Sequence, residues 1–577
     1  MAIRRLVPVF LEVSRWMAPN PSRLILCLLS TRCAIVLWMA ISCALIPDFV
    51  SHDNSLVDFD LRLQRTEGSL QPPFFLPGSI CDGSVHGTSF APHVTTNKAR
   101  RPWWQTALWF HVLAPHTRWD SARFLRLAHA PQIRNPRWRL EFLEEGMTAT
   151  NDFATKESEE SHPFLPLFPF LIQVAAKLLS LSIPASFLPP TCEGLLTLSA
   201  IMWNLAAGVL SVLALYRCTY VYVSSSNTVD KAIAKEWASR VALLFILNPA
   251  SVFLTTSYSE GTGSAIVLSA SFLWSLYQTT TSRSKRKAWC GAWLLFYAGC
   301  WVRSNGSIYA GFSVLHGIGL ALTPSKPLLQ RALAMTMSFL VALLLTIGGL
   351  GLHNYVAVRN HCREECGPHR DETCLVGQYQ APVWCGEGTW FNLYSYVQRK
   401  HWNVGLFRYY ELKQIPNFLL AAPVLGVSIM AVRHWISVSW GNCRVGMKQE
   451  GSRSNPPISF LVQFIQWCST ALQSFADGSQ QHQTSPADVL LTSSPLLLGH
   501  YAVLCATTLL LITLAHIQIS TRLIFSSCPA IYWYLTSVIS NPNNNKNHRA
   551  LGEWVLSWCL LYNILGVILH PNWLPWT

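Results

Sequence analysis

The sequence predicts an all-α polytopic membrane protein. Of its 577 residues, 51% are hydrophobic and only 12% charged, against about 25% charged in an ordinary soluble domain. Mean hydropathy is positive at +0.27, and the chain carries 24 Trp. Apolar runs of bilayer-crossing length follow one another from end to end, separated by short basic clusters. The net charge of +14 sits in those clusters beside the apolar runs. There Lys and Arg retain loops in the cytosol and meet anionic headgroups. Nucleic acid is therefore excluded as a partner. The absence of a glycine-rich phosphate loop argues against a nucleotide-driven pump, and no His-Glu-x-x-His or Ser/His/Asp order is present.

Arg4, Arg5, Arg15 and Arg23 precede the run Leu24–Ile46, which reads as a signal-anchor helix with residues 1–23 in the cytosol. Residues 47–163 form a long, mostly polar first lumenal loop. Further spans are expected near 164–181, 195–216, 238–256, 260–277, 288–302, 304–323, 328–350, 415–436, 496–516, 521–540 and 552–570. Arg283, Lys285, Arg286 and Lys287 mark a cytosolic loop. This makes 353–414 lumenal and 437–494 cytosolic, the stretch Gly451 to Ser494 being a Ser, Gln and Pro-rich flexible linker, partly disordered. The bundle thus divides into helices over 164–352, one span at 415–436 and a C-terminal set over 495–577. Four crossings between the first lumenal loop and Arg283 are one too many. The run at 164–181, interrupted by Pro166 and Pro169 and preceded by Pro163, is the segment expected not to cross.

Most of the 17 cysteines lie in apolar runs and read as small buried hydrophobes. Cys362, Cys366, Cys374 and Cys385 form an even set in the lumenal loop, where disulfides are the natural expectation. A zinc site using Cys362, Cys366, His361 and His369 is the alternative.

Asp120 begins an apolar-faced helix, with Ala122, Leu125 and Ala128 at three-residue spacing after the aromatic stripe Trp103, Trp104, Trp109 and Phe110. It reads as an N-cap or as a general base at the membrane boundary, two roles one aspartate can combine. Glu260 and Arg303 are charges amid apolar runs, and such residues face a cavity or a partner. Arg303 either neutralises Glu260 or grips a phosphate with two hydrogen bonds. Asn248-Pro249 breaks the helix before Glu260. The sequon Asn305-Gly306-Ser307 lies between apolar runs and is expected to be unused. His516, Gln518 and Arg522 group polar side chains between two spans, suited to a phosphate or a sugar.

The stretch HWNVGLFRYYELKQIPNFLLAAP, 401–423, is polar, aromatic and charged at a membrane edge. It resembles the signature of the PIG-V family, the endoplasmic-reticulum mannosyltransferases that add the second mannose to the GPI precursor. Trp119-Asp120 is similar to that family's Trp-Asp pair, and Arg123 to the Arg-aromatic element that follows it. Glu159 matches the Glu before the proline-bearing aromatic run, although an insertion of about 28 residues separates it from Asp120 and a solvated charge run explains it as well. The segments around Glu260, Arg303 and His516 also look like family motifs. The resemblance implies a GT-C-type glycosyltransferase with a lumenal active site and Asp120 as catalytic base. Implied substrate-binding residues are Arg123, Glu159, Glu260, Arg303, Asn305, Trp402, Asn403, Arg408, Tyr409, Tyr410, Glu411, Lys413, Gln414, His516, Gln518 and Arg522. The donor would be dolichyl-phosphate mannose and the acceptor the mono-mannosylated GPI glycolipid, with membrane lipids and an accessory membrane subunit as further partners. No metal and no cofactor are expected. A lipid or solute transporter, or a non-catalytic subunit of the same machinery, is the rival reading. A transporter predicts internal inverted repeats, and the sequence has no repeat of fixed period.

Overall fold

In a computed structural model, the described residues are 6–46, 112–129, 162–184, 187–189, 192–226, 229–280, 284–361, 393–450, 460–477, 491–492, 494–540, 546–572, 574 and 576. Among them every regular element is helical. In chain order these are α1 (Leu6–Met17), α2 (Ser22–Leu45), α3 (Asp120–His129), α4 (Leu167–Ser182), α5 (Cys192–Ser224), α6 (Lys231–Ile246), α7 (Glu260–Thr279), α8 (Ser284–Val302) and α9 (Tyr309–Ala321). They are followed by α10 (Leu328–Thr346), α11 (Leu352–His361), α12 (Leu393–Trp402), α13 (Ile415–Glu450), α14 (Phe460–Asp477), α15 (Leu498–Thr513), α16 (Ser520–Ser527), α17 (Pro529–Ser540) and α18 (Lys546–Leu569).

Six of the helical stretches are long and apolar enough to cross a membrane, and α16 with α17 makes a seventh if the pair, bent by 84°, is one span. The bend falls at Cys528-Pro529, where the proline has no N–H to continue the ladder. The runs expected near 238–256, 260–277, 288–302 and 304–323 are not among these six. The helices there, α6 to α9, are shorter or less apolar. Those of α6 and α7 are mostly buried, so protein rather than lipid receives their serines and threonines. The run drawn to residue 256 stops at Ile246, because Asn248-Pro249 turns the chain.

α4 packs through Phe168, Ile172 and Ala176 on Phe124, Leu125 and Ala128 of α3, Leu196 and Ala200 of α5 and Val302 of α8. All these partners gather at one end of the bundle, the end where Asp120 sits. At the opposite end lie the Arg15–Glu236 ion pair and the Tyr222–Gln278 hydrogen bond. The core is unusually aromatic, with Trp274 fully buried against Trp293, Phe312 and Phe475.

The expectation of a flexible linker over 451–494 is corrected at 460–477, which is the helix α14. Its Trp467, Ala471 and Phe475 recur at helical spacing and are buried, and Trp467 Nε1 donates to Ser439 Oγ at 3.1 Å. A Ser- and Gln-rich composition concealed that stripe. The cysteines Cys362, Cys366, Cys374 and Cys385 lie outside the described residues, as does Glu159.

Candidate active site

Asp120 is the first residue of α3, and the residue before it, Trp119, takes a left-handed backbone with φ of 56°. A bulky residue there costs about 1–3 kcal/mol, and the surroundings must hold it in place. Tyr258, fully buried in the turn before α7, lies within electrostatic reach of Asp120. Arg118 Nε donates to the Pro571 carbonyl at 3.2 Å. The Asp120 carboxylate does not cap its own helix. It accepts from Arg522 Nη1 at 2.8 Å, which settles its geometry against the N-cap expectation.

Arg522 lies on α16 and joins two acids. Its Nε is 3.5 Å from Glu260 Oε1, and Glu260 also pairs with Arg303. The result is an alternating chain, Asp120–Arg522–Glu260–Arg303, in which Glu260 is fully buried. Alternation matters because an isolated ion here would carry a large desolvation penalty. Arg303 donates further to Ser259 Oγ at 3.2 Å and to Asn305 Oδ1 at 3.4 Å. The guanidinium of Arg522 lies over the rings of Phe253 and Tyr258, 5.4 Å from each centroid. Its Nη2 makes no hydrogen bond or ion pair among the described residues.

The turn Asn248–Ser259 brings Tyr258 and Glu260 together, and Asn204 of α5 fastens it. Asn204 Nδ2 donates to the carbonyls of Thr256 and Tyr258, at 2.5 and 2.9 Å. Gly261 is required beside it, since a Cβ there would stand 2.6 Å from Asn204 Oδ1. Tyr394 of α12 reaches the same end through a 2.8 Å hydrogen bond with Ser304.

The signature residues form a collar beside this chain. Arg123, one turn from Asp120, stacks its guanidinium on Trp402 at 5.4 Å and on Phe164 at 5.7 Å. His516 hydrogen-bonds the Trp402 carbonyl and meets the Tyr409 ring at a tilt, 4.3 Å between centroids. Burial and the nearby Arg522 push the His516 pKa down, against the carbonyl bond that raises it. Burial likewise pushes Tyr409 up to about 12, while Asn417 donates to its hydroxyl at 3.1 Å. Asn417 also donates to Gln414. Tyr410 donates to the Ile512 carbonyl at 2.8 Å, and Asn403 to Glu411 at 3.3 Å. Asn403 and Phe407 share the left-handed backbone, φ 51° and 53°. Gln518 sits in the short turn Ile517–Ile519 that leads into α16.

Two of the implied substrate-binding residues, both cationic, are not brought to the charge chain. Lys413 is 73% exposed and pairs with Glu411 at 2.6 Å, and Arg408 is exposed with its side chain against Gly405. Both are solvent-exposed rather than drawn in toward Glu260. Tyr258, Asn204, Arg118 and Tyr394 join the site without having been assigned a role from sequence. Polar residues in otherwise apolar runs were the available signal for Asn204 and Tyr258. Among the described residues no cluster of His, Cys, Asp or Glu could hold a metal ion.

Comparison with known proteins places this arrangement. The chain is 26% identical over 517 residues to the GPI alpha-1,6-mannosyltransferase 2 of Mus musculus, covering 81% of this chain and 88% of the relative. It is 29% identical over 432 residues to the GPI mannosyltransferase 2 of Drosophila pseudoobscura pseudoobscura, covering 73% and 82%. With the Homo sapiens GPI alpha-1,6-mannosyltransferase 2 the identity is 28% over 390 residues, covering 58% and 69%. No solved structure matches significantly. The sequence model described as Mannosyltransferase (PIG-V) matches residues 142–577, and with that extent of agreement the chain belongs to the PIG-V mannosyltransferase family.

Proposed function

We propose that the protein transfers the second mannose of the GPI precursor in α-1,6 linkage, from dolichyl-phosphate mannose to the mono-mannosylated glucosaminyl phosphatidylinositol, at the lumenal face of the endoplasmic-reticulum membrane. The observation that carries the reading is the alternating chain Asp120–Arg522–Glu260–Arg303 beside the family signature. In the reaction, the acceptor hydroxyl oxygen attacks the anomeric carbon of the β-linked donor while the bond to the phosphate oxygen breaks. One displacement inverts the centre and yields the α-product. Asp120 takes the hydroxyl proton, and Arg522 orients its carboxylate. Negative charge develops on the departing dolichyl phosphate, and in this reading the remaining Arg522 Nη2 donor meets it. Arg303, occupied by Glu260, Ser259 and Asn305, holds Glu260 and through it Arg522. The leaving group is a phosphate monoester, so its charge is within reach of one or two guanidiniums, and the proposed step uses no metal and no cofactor.

The aromatic collar suits the two sugars and the membrane boundary. Beside it Phe407, Tyr410, Phe418, Ile512 and Ile517 cluster as apolar side chains, a surface against which we place the isoprenoid chain of the donor. The deciding experiment is a microsomal assay with labelled dolichyl-phosphate mannose and defined GPI intermediates. Asp120→Asn removes basicity at nearly constant shape. It should abolish transfer while protein level and membrane insertion stay at wild type, and normal transfer by this variant would sink the assignment.

A further inference from the structure

The residues that follow α18 are built into the site. His570 is 1% exposed. Its ring meets Tyr258 at 5.5 Å and Phe253 at 5.6 Å, both edge-on. These are the two rings over which the Arg522 guanidinium lies. Tyr258 in turn lies within electrostatic reach of Asp120. The next residue, Pro571, gives its carbonyl to Arg118 Nε at 3.2 Å and to the Cys43 thiol at 3.5 Å. Asn572 Nδ2 then donates to Ser42 Oγ at 2.8 Å, tying the segment to the end of α2. Pro571 thus holds Arg118 of the strained Arg118-Trp119-Asp120 turn directly, while His570 packs on the rings beneath Arg522 and Asn572 anchors the segment to α2.

Among the described residues neither nitrogen of the His570 ring has a hydrogen-bond partner, and the same holds for His116, which is fully buried four residues before Asp120. The charged and titratable groups facing His570 are His116 and Arg118 from the turn before α3, Arg522 from α16 and Tyr258 from the turn before α7. Burial, with His116, Arg118 and Arg522 adding to it, pushes its pKa down to about 3. The ring is thus neutral and acts by shape.

We propose that His570 is a positioning residue for Asp120. Its ring wedges Tyr258 and Phe253 beneath the Arg522 guanidinium while Pro571 fixes Arg118, so the carboxylate is aimed by a segment some 450 residues away in sequence. The proposal rests on Asp120 being the base. A residue that aims a base without touching either substrate changes turnover and leaves substrate affinity alone.

The test uses the full chain in microsomes, with His570→Ala, His570→Phe and Asp120→Asn assayed together for kcat and for the KM of dolichyl-phosphate mannose. His570→Ala should lower kcat about tenfold or more with KM changed less than about twofold. His570→Phe keeps a ring and needs no nitrogen, and should recover most of the rate. If the Ala variant does not accumulate, His570→Asn, polar and ringless, should show the same loss. An unchanged kcat in the ringless variants, a raised KM at constant kcat, or a Phe variant no better than Ala would each overturn the assignment. If Asp120→Asn transfers normally, the base reading fails and His570 loses its role with it. If Asp120→Asn is inactive while the ringless variants are not slowed, only the His570 proposal fails.

Discussion

Replacing Arg522 by lysine preserves the charge and removes the geometry, which isolates what the guanidinium does. Two of its nitrogens engage different acids: Nη1 is 2.8 Å from Asp120 Oδ2, and Nε is 3.5 Å from Glu260 Oε1. A single ammonium on a flexible stem cannot reproduce both contacts and also offer a third donor to phosphate. One charge-assisted hydrogen bond is worth about 1.5–3 kcal/mol, and its loss in the transition state lowers the rate about 10- to 150-fold. Fully buried Glu260 retains Arg303, so the fold should hold. The assay is transfer from labelled dolichyl-phosphate mannose at saturating acceptor, with donor titrated to separate kcat from KM. A fall in kcat alone identifies Arg522 as the group that orients Asp120, and a rise in donor KM as well adds the phosphate contact through Nη2. A lysine enzyme with wild-type kcat and KM would refute the reasoning, because neither the orientation nor the grip would then depend on the fork.

Three further perturbations test the surroundings. Glu260→Gln removes the acid shared by two guanidiniums, so thermal unfolding in detergent should show a loss of about 3 kcal/mol, the lower end for a broken buried pair because Arg303 and Arg522 keep 18% and 15% exposure; an unchanged midpoint would contradict the buried network. Gly261→Ala drives a methyl into Asn204, whose amide is committed to Thr256 and Tyr258, and should cost about 1–3 kcal/mol with a parallel loss of transfer. His116 and His570 are held neutral by burial at about 4 and about 3, below the unfolded value of about 6.5. Between these values the unfolded state binds more protons, so their stability contribution is complete above about pH 6.5 and is lost as pH falls toward 4 and below. At pH 5 the loss should be about 2 kcal/mol for each, and unfolding curves of the His116→Phe and His570→Phe proteins should be flatter across that window.

The all-helical membrane class was legible in the sequence because hydropathy is local: each apolar run declares itself without reference to its neighbours. The family signature was legible for a related reason, since a dense polar and aromatic strip at a membrane edge stands out within 23 residues. Glu260 and Arg303 were visible as charges in apolar surroundings, and their pairing was one of two readings the sequence left open. Composition misled at 460–477, where serines and glutamines hid the stripe of Trp467, Ala471 and Phe475. Only the tertiary structure decided which groups meet. Asp120 and Arg522 are 402 positions apart, and nothing in either neighbourhood encodes the other. The same is true of Arg118 and Pro571, 453 apart. Pattern and propensity act over a few turns of helix, whereas a charge chain and a strained turn are specified by how distant helices pack. The sequence by itself therefore determined the class, the family motifs and the candidate residues. Packing determined that Asp120, Arg522, Glu260 and Arg303 form one unit, because a buried charge is tolerated only where the fold delivers its partner.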